Sequence, residues 1–201
     1  LIKIGGVTVH SLSDGFFHGP AKESFPDTPI QAWQCGCSVI GSNPKIDTNI
    51  GSFLISSAGR TILIDTGMGD APPDNSGSKW GMLIHEFEAS GLDVNDVDTV
   101  FMTHIHNDHA GGNIRRRNGQ YVPVFPKARY ICNVLDWNFF HADNNIPDKP
   151  YYRRSSMEPL NSMGLLDLID GEFALNENVT AIPTPGHTPG HMSIVISSEG
   201  E

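Results

Sequence analysis

Basic residues are scarce in this chain: 13 Lys and Arg stand against 23 Asp and Glu in 201 residues. An overall negative field repels phosphate backbones, so nucleic acid is not an expected partner. Cysteine is nearly absent, with only Cys35, Cys37 and Cys132. An odd count excludes complete intramolecular pairing, and Cys35 and Cys37 are too close in sequence for an unstrained mutual bridge. Buried or free thiols are the expectation; they fit a reducing, cytoplasmic setting, with periplasmic or secreted locations left open. No apolar run approaches the length of a membrane span, so no membrane partner is expected. Internal repeats and low-complexity tracts are lacking too.

What is present is an alternation of short apolar runs and helical faces. Residues 2–12 alternate apolar and polar and read as a strand or hairpin. Residues 13–34, rich in Gly, Pro and Asp, read as a long N-terminal excursion carrying Phe16, Phe17, Phe25 and Trp33. SFLISSAGRTILIDTG (52–67) reads as a hairpin whose second strand delivers Asp65 to a loop. Trp80, Leu83, Ile84 and Phe87 share one helical face that ends near Gly91. TVFMTH, RYICN, MGLLDLID, NVTAIPTPGH and MSIVIS read as further strands or turns, and LDWNFFHA as a helix. The alternation predicts one α/β domain over residues 1–201.

The unusual stretch is THIHNDHAGGN, residues 103–113. His104 and His106 lie two apart where a strand runs out, so their side chains can point the same way. Asp108 and His109 follow as the chain turns, and four such groups can converge on one small volume. Imidazole nitrogen and carboxylate oxygen are what zinc, iron, manganese or cobalt accept. A single histidine is more often structural, but this spacing with Gly111 and Gly112 behind it favours metal binding. A second cluster, TPGHTPGH (184–191), offers His187 as a third imidazole ligand and His191 as a brace for the loop.

Together, HxHxDH at 104–109, the strand ending Asp65-Thr66-Gly67 and the later PGHTPGH resemble the metallo-β-lactamase superfamily, in the expected order along the chain. The resemblance implies an αββα sandwich with the metal site at one edge and two divalent ions, most readily zinc, with iron, manganese and cobalt as alternatives. It implies that His104, His106 and His187 hold one ion, that Asp108 and His109 hold the second, and that Asp65 orients a ligand or loop from outside. The family adds an aspartate bridging both metals and a later histidine; the chain stops at Glu201 before either. A missing, cleaved or separate C-terminal polypeptide is therefore expected.

Such a site activates water for hydrolysis without a Ser or Cys nucleophile, with Asp108 guiding a proton. Trp137, Phe139, Phe140, Tyr151 and Tyr152 are candidates for an apolar wall around a small-molecule substrate, with ordinary helix packing an equal alternative. Arg115, Arg116 and Arg117 read as a solvated face. The layout from Leu12-Ser13-Asp14-Gly15 through VDTVFMTHIHNDHAGGN is most similar to the branch holding N-acyl-homoserine lactonases and methyl parathion hydrolase-like enzymes. That implies opening of a lactone or cleavage of a carboxylic ester, and a homodimer. A phosphotriesterase, a glyoxalase II-like thioesterase, a β-lactamase, an RNA-processing nuclease, a di-iron redox protein and a non-catalytic metal-binding module stand as alternatives.

Overall fold

Alternation at the N-terminus builds the first strands. In the computed structural model, which describes residues 1–29, 31–32, 44–72, 75–141 and 154–200, β1 (Ile2–Ile4) pairs antiparallel with β2 (Val7–Pro20). β2 pairs with β3 (Lys45–Ser57), which turns into β4 (Arg60–Ile64). Ala58 and Gly59 both have positive φ, the mirror-image turn that matches strand twist. Trp33, Cys35, Cys37, Tyr151, Tyr152 and the 144–150 loop lie outside the described residues.

The reading of residues 13–34 as one excursion is corrected over its first part, because β2 continues to Pro20. A register shift between Ser13 and Gly15 leaves Asp14 as the bulged residue and breaks the alternation that pattern reading follows. A Cβ at Gly15, which has φ 129°, would lie 2.0 Å from the Lys79 carbonyl oxygen, so only glycine fits. The carboxylate of Asp14, thus turned inward, accepts the backbone N–H groups of Met68 and Leu83. It ties the loop after β4 to the start of α2 (Leu83–Ala89).

From β4 onward the sheet is parallel: β5 (Thr99–Phe101), β8 (Arg129–Asn133) and β9 (Leu166–Ile169) complete the order β1-β2-β3-β4-β5-β8-β9. Parallel strands must be covered on both faces, hence their continuous apolar runs. On one face, Leu63, Val100, Tyr130 and Cys132 pack against α2, α3 (Asn107–Ala110), α4 (Val134–His141) and α5 (Arg154–Ser162) through Phe87, Ala110, Phe140 and Leu160. On the other, Ile62, Phe101 and Ile131 meet Val179, Ala181 and Met192. These last come from an antiparallel sheet of β10 (Phe173–Ala174), β11 (Val179–Pro183) and β12 (Met192–Ile196). The expected α/β sandwich is present.

An unanticipated hairpin, β6 (Ile114–Arg117) and β7 (Gln120–Pro123), follows the histidine cluster. Asn118 and Gly119, both at positive φ, form its turn. Arg115, Arg116 and Arg117 are exposed on it. No helix among the described residues is long and apolar enough to cross a membrane.

Candidate metal centre

Parallel α/β sheets gather ligands beyond the carboxyl ends of their strands, and the histidines assemble there. Thr103 to His106 leave the end of β5, and Asp65 leaves the end of β4. The turn between β11 and β12 brings His187 and His191 across; Met192 N–H donates to the Thr103 carbonyl at 2.8 Å and ties the two segments together. Ligand atoms of His104, His106 and His187 all lie within 4.8 Å of one another. His106 Nδ1 and His187 Nε2 are 3.1 Å apart, although 81 residues separate them in sequence.

These residues fit a divalent cation. His104 is only 3% exposed, and its Nε2 is buried without a hydrogen-bond partner. A buried, unsatisfied polar atom carries a desolvation penalty that a bound ion removes. Burial, helped by the neighbouring His109, His106 and His187, pushes the His104 imidazolium down to about 2, which keeps the ring neutral as a ligand must be. His106 is lowered by burial and by His187.

Asp108 and His109 sit beside this triad and are paired with each other, His109 Nε2 lying 3.4 Å from Asp108 Oδ2. The His109 ring centroid is 3.9 Å from that of His104. Its Nδ1 is 2.7 Å from Asp65 Oδ2. Asp65 also accepts the Thr103 N–H and hydroxyl, each at 2.8 Å. Burial disfavours the His109 cation, but Asp65 and Asp108 outweigh it and raise the ring to about 10. Burial likewise disfavours the Asp108 anion; the hydrogen bond and charge of His109 prevail and hold it below its ordinary value. The arrangement assigns Nδ1–H of His109 to Asp65 and turns Nε2 toward Asp108 and the triad.

Backbones approach closely behind these side chains. A Cβ on Gly112 would lie 2.1 Å from the Thr66 carbonyl oxygen, so the glycine lets the Asp65 loop press against the turn that follows α3. Thr66 N–H donates to the His109 carbonyl at 2.7 Å and fixes one loop on the other. His191 Nδ1 is 2.9 Å from Thr184 Oγ1, and its carbonyl accepts Thr184 N–H, so it closes the turn that carries His187.

The aromatic candidates separate. Phe140 lies with its ring edge-on to His106, centroids 5.5 Å apart. Trp137 packs against the helical-side core and stacks on His141 at 3.7 Å, while Phe139 is exposed. Sequence reading did not single out Asp136, whose buried carboxylate accepts hydrogen bonds from the turn 184–191. An aspartate in the first turn of a helix is too common to signal that role.

The geometry has counterparts. The chain is similar to an N-acyl homoserine lactonase of Bacillus sp., 24% identical over 81% of this chain and 64% of that protein. It is similar to the structure of a probable metal-dependent hydrolase from Staphylococcus aureus, 25% identical with TM-score 0.83, covering 100% of this chain and 72% of that one. It is also similar to the dizinc quorum-quenching lactonase AidC in complex with a product, 25% identical with TM-score 0.76, covering 100% of this chain and 70% of that one. The chain spans less than two thirds of the curated relatives it matches, 64%, 48% and 58% of three of them. The family model of the metallo-β-lactamase superfamily matches residues 48–201, and the chain belongs to that superfamily.

Proposed function

We propose that the protein is a metal-dependent hydrolase that opens lactones or cleaves carboxylic esters, in the manner of the N-acyl homoserine lactonases it is similar to. The observation that carries this reading is the convergence of His104, His106 and His187 around the unpartnered Nε2 of His104. In this reading those three imidazoles hold one divalent ion and Asp108 and His109 hold a second, with zinc at both positions. The ions supply Lewis acidity, making water nucleophilic near neutral pH and offsetting charge that develops on the substrate oxygen. Ring opening adds water across the acyl C–O bond: the water oxygen joins the carbonyl carbon, and the ring oxygen leaves and takes a proton. Asp108, one third exposed at the rim of the site, carries that proton. Asp65 holds the Nδ1 proton of His109, so that Nε2 is the nitrogen that would meet the ion. Phe140, almost fully buried, backs His106 with an apolar ring.

Hydrolysis rates on an acyl-homoserine lactone, an aryl ester, paraoxon and a penicillin, with metal analysis of the same sample, test the reading. Lactone or ester turnover that chelation abolishes and zinc restores is the expected result. Turnover that survives chelation, or that is confined to paraoxon or penicillin, overturns it.

A further inference from the structure

His187 is exposed, so burial alone does not fix its ring. The next residue is the opposite: Thr188 is 3% exposed and donates its hydroxyl to Asp136 Oδ2 at 2.9 Å. Gly190 N–H donates to Asp136 Oδ1 at 2.6 Å, and Asp136 itself is fully buried. One carboxylate thus grips the turn on both sides of Pro189. The fit is close, since a Cβ on Gly190 would lie 2.6 Å from the Asp136 backbone nitrogen. Within the turn, the Thr188 carbonyl accepts Gly186 N–H at 3.1 Å and His191 N–H at 3.4 Å. The backbone on either side of His187 is therefore referred to one anchor, which sits in the first turn of α4. The same helix places Phe140 against His106. A single helix thereby registers the third imidazole against the first two.

We infer that Asp136 is a positioning residue for His187, acting through Thr188 and Gly190 to set the third imidazole where His104 and His106 meet it. The inference rests on the reading of His187 as a metal ligand. Groups that orient ligands in this way, when removed, weaken metal affinity about 10–100-fold.

The test is zinc affinity of the whole chain, measured by competition with a chromophoric chelator, with the cobalt(II) absorption spectrum as a second readout. Thr188→Val removes the hydroxyl at constant shape and weakens zinc binding about 10–100-fold, whereas Thr188→Ser keeps it near wild type. On a His187→Ala background, Thr188→Val produces no further loss, because the two act through one ligand. Thr188→Ala carries the same comparison should the valine variant not fold. Wild-type affinity in the variants lacking the hydroxyl, or an equal loss with and without His187, overturns the positioning role. Wild-type affinity and spectrum in His187→Ala alone overturn the ligand reading beneath it.

Discussion

Asp65→Asn changes one atom and inverts the hydrogen-bond logic of the site. Asp65 is 5% exposed and accepts three bonds: Thr103 N–H at 2.8 Å, Thr103 hydroxyl at 2.8 Å and His109 Nδ1–H at 2.7 Å. Asparagine keeps one acceptor for Thr103 N–H and presents an N–H donor where Oδ2 stood. The Thr103 hydroxyl can reverse and accept. Imidazole Nδ1 can accept only if the ring carries its proton on Nε2, the nitrogen that faces Asp108 and the triad. His109 is then protonated at the wrong atom for a metal ligand. Losing a charge-assisted bond at a buried carboxylate costs about 1–3 kcal/mol of folding stability. Affinity for the ion assigned to Asp108 and His109 falls about 10–100-fold. Zinc titration should show the weaker site lost first, and nitrogen NMR of the imidazoles should show the Nδ1 proton of His109 lost. A variant that binds metal as tightly as wild type, with His109 still protonated on Nδ1, refutes the reasoning.

Gly112→Ala should destabilise the chain by about 3 kcal/mol or more, because the new methyl would meet the Thr66 carbonyl oxygen at 2.1 Å; thermal melting checks this. The metal-free protein should lose stability as pH falls from 7 to 5. His104, pushed down to about 2, contributes stability present above its unfolded value of 6.5 and lost below it, about 2 kcal/mol over this range. His109, raised to about 10, works the other way: its stabilisation is complete below 6.5 and lost as pH rises toward 10, so it returns about 1 kcal/mol on acidification. The lowered His106 and His191 add to the net loss. Denaturant melts of chelator-treated protein measure it, and a stability that rises on acidification contradicts the assignment.

The parallel strands were legible because double-sided burial leaves uninterrupted runs such as TVFMTH, and the histidine cluster because His104, His106, Asp108 and His109 crowd one turn. The end of β2 was not legible, since the bulge at Asp14 and the positive φ of Gly15 hide six residues of pairing behind a broken period. Hairpin β6–β7 was hidden differently: three arginines mask its alternation, although Asn118-Gly119 is a strong turn signal. The convergence of His187 on His106 depends on two sheets packing together, and the grip of Asp136 on Thr188 depends on where α4 lands. Neither leaves a local pattern in the sequence.

Zinc content of the dialysed chain, measured beside that of His187→Ala, bears most directly on the idea that distant imidazoles share one cation. The account predicts that wild type retains at least about one ion per chain and that His187→Ala loses it or holds it far more weakly. Equal retention by both, or none by wild type at saturating zinc, would contradict it.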